Sequence, residues 1–117
     1  MQDKLKDNLT GRVTYELKPR YDARKSFYHK AFLTEEFYRN KGCCEDIIIT
    51  KLRSYSTIVA EIKPFEFLSD GTPLYKAYVY SWDSQTTGRH IKEFLKQHGF
   101  RANNKAQILR DYGVEEE

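Results

Sequence analysis

Through its first two-thirds the chain alternates apolar and polar residues at the period of a β-strand, and it then changes to the period of a helix. Arg12–Leu17 places Val13, Tyr15 and Leu17 on one face, which predicts a first strand stopped by Pro19. A second strand is predicted over Phe27–Glu36, with Phe27, His29, Ala31 and Leu33 on one face and Tyr28, Lys30, Phe32 and Thr34 on the other. Arg39–Asp46, with Gly42, reads as a turn. The β-branched run Ile47–Leu52, a tight connection at Arg53–Ser56 and the return Thr57–Ile62 make a hairpin that Pro64 is expected to end. Ser69–Pro73 is turn chemistry, and Leu74–Tyr80 supplies a fifth strand.

The period then lengthens. From Ser84, a good N-cap, Thr87, Ile91, Phe94, Leu95 and His98 fall on one side, with Arg89, Lys92, Glu93, Lys96 and Gln97 on the other. This predicts a helix over 85–98, closed by Gly99 in a left-handed cap. A short last helix is predicted from Asn104 to Tyr112, ending at Gly113. The expected architecture is one α+β domain over 1–117, with a mostly antiparallel sheet of about five strands packed by one main helix. Residues 1–10 and 114–117 are expected to be flexible ends. The second face of such a sheet has no obvious cover, so it is either wetted or a place where something binds.

Composition fits this picture. A chain of 117 residues suits a single core. Nine Tyr and seven Phe supply it with few, large side chains. The net charge is only +3, but residues 1–40 carry nine Lys and Arg against six acids, while the other two-thirds balance. Met1–Asp7 is polar and shows no signal-peptide pattern, and no apolar run approaches the ~20 residues of a spanning helix, so a cytoplasmic protein without membrane contact is expected. The adjacent Cys43 and Cys44 suit neither a disulfide framework nor a paired metal motif.

Three stretches carry specific patterns. They are Arg24–Ala31, the Tyr55-Ser56-Thr57-Ile58-Val59-Ala60 hairpin, and the helix start Ser84-Gln85-Thr86-Thr87-Gly88-Arg89-His90. Together, over roughly residues 20–112, they resemble a family of small uncharacterised proteins of Firmicutes, their phages and mobile elements. The resemblance brings no catalytic residue or cofactor. It implies an accessory protein acting in a bacterial host cell. This chain differs from compact members in longer stretches at 36–47 and 64–76.

Two constellations are candidates for binding. The helix start offers free N–H groups and the positive end of a dipole, yet carries Thr86, Thr87, Arg89 and His90 with no carboxylate after Asp83. An anion or an acidic side chain would relieve that conflict. The plainer alternative has Ser84 capping, Thr87 packing, Arg89 paired with Glu93 and His90 bonded to a strand carbonyl. The second constellation is Lys18–Lys30, five cations and three aromatics with one acid, in which Arg20, Arg24, Lys25 and Lys30 would hold phosphates or an acidic surface while Tyr21 or Tyr28 stacks. Its alternative is a solvated loop. A metal or thiol site among Cys43, Cys44, His29, His90 and His98 lacks the spacing it would need, and carboxylate pairs such as Glu35-Glu36 read as solvated strand edges.

No enzyme motif stands out, so binding rather than catalysis is expected, with no cofactor and no metal. The leading expectation is a stoichiometric inhibitor of a host defence or nucleic-acid-handling protein, anti-CRISPR-like, with a CRISPR effector nuclease among the candidate partners. The alternative is a nucleic-acid-binding accessory protein using residues 18–30. An unpaired sheet edge leaves dimerisation open.

Overall fold

The computed structural model describes residues 8–41 and 45–114. Five strands, β1 (Leu9–Glu16), β2 (Ala31–Tyr38), β3 (Ile47–Ser54), β4 (Thr57–Phe67) and β5 (Pro73–Val79), pair with their sequence neighbours in the order β1-β2-β3-β4-β5. Every pair is antiparallel. Two helices follow, α1 (Gln85–Gln97) and α2 (Lys105–Tyr112). This is the α+β class that the periodicity predicts. The two cysteines and the first seven residues lie outside the described residues.

Local chemistry sets most boundaries. Ser84 is extended, and its hydroxyl accepts the Thr87 N–H to start α1. Gly99, at φ +82°, lets the Phe100 and Gly99 N–H groups return to the Leu95 and Lys96 carbonyls, which closes the helix. Asn104 repeats the capping bond for α2 by accepting from Gln107 N–H. Between β3 and β4 the connection is shorter than predicted. Ser54 pairs with Thr57, and Tyr55, at φ +58°, makes the reversal with Ser56.

Two expectations are corrected. The second strand begins at Ala31, not Phe27, because Tyr28 and His29 sit in the left-handed region at φ +52° and +60°. There the Lys30 N–H closes a turn onto the Phe27 carbonyl, and the Lys30 carbonyl accepts from Tyr55 N–H. Pro64 does not end β4. It lies past the last β3–β4 pair, Thr50 with Ile62, and beside a register shift in the β4–β5 pairing, so a missing N–H there removes no bond to β3.

The two faces of the sheet are covered differently. On the helix side, α1 lies over β3 and β4, while α2 leans on β5. Leu33, Leu52, Ala60 and Val79 are buried there against Ile91, Phe94, Leu95 and Ile108. On the back face no helix packs among the described residues, and the sheet covers itself with its own long side chains. Arg53 lies over the Phe32 ring and Lys63 over the Tyr78 ring. Tyr38, Ile47 and Ile49 make a small apolar cluster. Glu36, read from the sequence as a solvated edge carboxylate, is instead buried at the centre. It accepts from Arg12 at 3.0 Å and from Tyr38 at 3.1 Å, with Lys51 at 3.2 Å. Burial opposes its ionisation, but Lys51, Tyr38 and Arg12 outweigh that and hold its pKa below the ordinary carboxylate value.

The sheet's two edges also differ. Beside β5, Val79 bridges to Gly113, and Val114 N–H donates to the Val79 carbonyl at 3.0 Å. Beside β1, no strand pairs with the outer edge among the described residues.

Candidate anion-binding face

The loop between β1 and β2 is fastened to α1 by one buried carboxylate. Glu93 Oε1 accepts the backbone N–H groups of Tyr21 at 2.9 Å and Asp22 at 2.8 Å, and Oε2 accepts from Gln97 Nε2 at 2.6 Å. The same Gln97 amide donates to the Lys18 carbonyl. Glu93 is 1% exposed, so the position that the helical period assigned to the polar side is closed by the loop. Its oxygens go to neutral donors, and none goes to a cation.

Asp22 shares its Oδ1 between the Arg24 N–H at 2.9 Å and Arg89 Nη1 at 3.5 Å. The predicted Arg89–Glu93 pair is therefore replaced by a longer contact to Asp22, because Glu93 is already occupied. Trp82 lies across the first turn of α1 at Gly88, where an added Cβ would fall 2.4 Å from the indole ring. Only glycine admits this approach. Lys105, from the start of α2, reaches over the same indole, 5.7 Å from its centroid.

These contacts leave two adjoining depressions along α1. One, of about 320 Å³, is lined by Tyr21, Asp22, Ala23, Arg89, Lys92, Glu93 and Lys96. The other, of about 380 Å³, is lined by Trp82, Gln85, Arg89, Lys92 and Lys105. Arg89 and Lys92 line both, so the two form one groove. Its cations are Arg89, Lys92, Lys96 and Lys105, and its carboxylates, Asp22 and Glu93, are already engaged. Among the described residues Lys92, Lys96 and Lys105 have no carboxylate within salt-bridge distance.

The residues singled out from sequence divide between this groove and other places. Tyr21, 61% exposed, and Arg89 line the groove, and Arg20, Arg24 and Lys25 are exposed on the loop that forms its wall. Tyr28 and Lys30 belong to the turn that precedes β2, where Lys30 Nζ lies over the Tyr55 ring. Thr86 is exposed in the first turn of α1, whereas Thr87 and His90 are buried. The His90 ring is edge-on to Phe27, and its Nδ1 lies 2.8 Å from Ser54 Oγ, a side-chain hydroxyl where a strand carbonyl was expected. Burial is the main cause that pushes its pKa down to about 4. Asp22 opposes that shift and Lys30 adds to it. At neutral pH the ring is uncharged core.

Four groove residues were not singled out from sequence: Trp82, Lys92, Lys96 and Lys105. Three cations at 89, 92 and 96 repeat at helical spacing on one side, which is a legible signal. Lys105 and Trp82 carry no such signal, because only the packing of α2 and the chain before α1 brings them together. Among the described residues no three of His, Cys, Asp or Glu come together as metal ligands.

Residues 15–110 match a family of unknown function, DUF8033. The chain belongs to that family. The DUF8033 match spans β2 through α1 and takes in every residue that lines the groove, while most of β1 precedes it. No curated protein and no solved structure matches the chain. No helix among the described residues is long and apolar enough to cross a membrane.

Proposed function

We propose that this member of DUF8033 is a binding domain, not an enzyme, and that it takes nucleic acid along the basic groove of α1. Phosphates would meet Arg89, Lys92, Lys96 and Lys105, while unstacked bases would rest on Tyr21 and Trp82. The observation that carries this reading is the electrostatic imbalance of the groove. Its two carboxylates are tied to backbone N–H groups and to Arg89, so among the described residues three lysines are left without an acidic partner. The loop cations Arg20, Arg24 and Lys25 widen the same positive field. The family resemblance suggests the setting, an accessory protein of a phage or mobile element in a bacterial cytoplasm.

Binding of a labelled single-stranded oligonucleotide, followed by anisotropy from about 50 to 200 mM salt, tests it. The affinity should fall steeply as counterions return, with a log–log slope of about −0.7 per phosphate contact. Lys92→Glu with Lys96→Glu should weaken binding at least about tenfold and flatten the slope by about two contacts. No binding near 50 mM salt, or an unchanged slope in the double variant, would rule the reading out.

A second reading, a stoichiometric inhibitor of a host defence protein such as a CRISPR effector, is favoured by the β4–β5 hairpin. Its Phe65, Phe67 and Leu68 are 52%, 49% and 49% exposed, the kind of apolar tip that a protein partner buries. Phe65→Ser with Phe67→Ser should abolish inhibition of such an effector and leave oligonucleotide binding intact. Retained inhibition would dismiss this second reading.

A further inference from the structure

We infer that β1 is a self-association edge, joining two copies of the chain into one continuous ten-stranded sheet. The strand stands at the end of the sheet order, and six of its eight residues are exposed. At the opposite edge the Val79–Gly113 bridge occupies the end of β5, whereas among the described residues nothing bridges to the outer side of β1. Natural edges are usually guarded by lysine, proline or an inward-pointing charge. Leu9–Glu16 has no lysine or proline, and its two charges already have partners, Arg12 with Glu36 and Glu16 with His29.

The occupant follows from the register. Leu17 N–H donates to the Ala31 carbonyl, so in the alternating antiparallel ladder Tyr15 and Val13 also turn their amides toward β2. Arg12, Thr14 and Glu16 therefore turn theirs outward. Antiparallel pairing of two copies about Thr14 uses all three. It sets Thr14 against Thr14, Val13 against the other copy's Tyr15, and Arg12 against the other copy's Glu16. Besides the central Thr14 pair, the side-chain pairs are then complementary, two apolar and two oppositely charged. The Arg12 Nη1 takes no partner among the described residues and is available for that contact. Val13 and Tyr15, now 47% and 43% exposed, would be covered. A register centred on Val13 sets Arg12 against Thr14 and forms no ion pair. Because antiparallel edge pairing preserves the faces of a sheet, both α1 helices would lie on the same side.

Sedimentation equilibrium tests the association, and cross-linking tests the register. The wild-type chain should approach twice its 13.9 kDa mass, and Thr14→Pro, which removes an outward N–H and the exposed Thr14–Thr34 hydroxyl bond but no backbone bond to β2, should raise the dimer Kd at least about tenfold, whereas Thr14→Val, which loses only the hydroxyl bond, should not. In a Cys43→Ser, Cys44→Ser background, Thr14→Cys should oxidise to a linked dimer faster than Val13→Cys, because only residue 14 faces itself within about 4.4–6.8 Å of Cα separation. Glu16→Arg should weaken the dimer, because it sets like charge against the other copy's Arg12. A wild-type chain that stays monomeric up to about 1 mM would overturn the inference. So would faster linking at residue 13, or a Glu16→Arg chain that dimerises as tightly as the wild type.

Discussion

Among the described residues two carboxylates are buried, one on each side of the sheet, and they are satisfied in opposite ways. On the back face Glu36 draws in Arg12 and Lys51, so its charge is met by two cations. On the helix side Glu93 is filled by two backbone N–H groups and an amide, and the cations around it are left over. Burial is similar, but the partners differ. A surface becomes receptive to anions less through the number of its lysines than through what its acids already hold.

The largest test of that contrast is Glu93→Ala. It leaves the Tyr21 and Asp22 N–H groups without their acceptor and frees the loop, which should cost about 3–4 kcal/mol in urea unfolding. Glu93→Gln should recover part of that loss, since it keeps one acceptor oxygen. Next comes acid. The folded-state pKa of His90 is pushed down to about 4, below the ordinary 6.5. Between those values the unfolded chain binds the extra proton, so stability should fall as pH drops through that window, by about 3 kcal/mol in all. His90→Gln should flatten this limb of the stability–pH curve, and an unchanged limb would mean that another group titrates there.

Gly88→Ala should cost about 2 kcal/mol by thermal unfolding despite the better helix propensity of alanine, because the new methyl displaces the Trp82 ring. The smallest effect is expected on the back face. Glu36→Gln should lose about 1–2 kcal/mol at neutral pH and less in acid. Its lowered pKa means that the wild-type contribution is complete above the ordinary carboxylate value and disappears as pH falls through the folded one. If Glu36→Gln proved as damaging as Glu93→Ala, the contrast between the faces would fail.

Local patterns made much of the fold legible. The Ile47–Ile62 hairpin, α1 with its Ser84 cap and Gly99 exit, and the short last helix each follow from periodicity and end chemistry. The departures have non-local causes. Tyr28 and His29 look like strand residues, but they reverse the chain where the β3–β4 hairpin receives the Lys30 carbonyl. Glu93 sits among charged neighbours on the helix and is buried by a loop 71 and 72 positions away. Half the groove was visible as the spacing of Arg89, Lys92 and Lys96. The other half, Trp82 and Lys105, exists only through packing between elements. The basic segment 18–30 is divided by the fold, its first part walling the groove and its last part turning into β2.

The indole wedged against Gly88 is the chain's single tryptophan. Its emission therefore comes from one known position, beside the first turn of the long helix and a lysine of the next. Any molecule that settles into that corner must change the colour or intensity of this light, so the protein reports on its own occupancy without a dye.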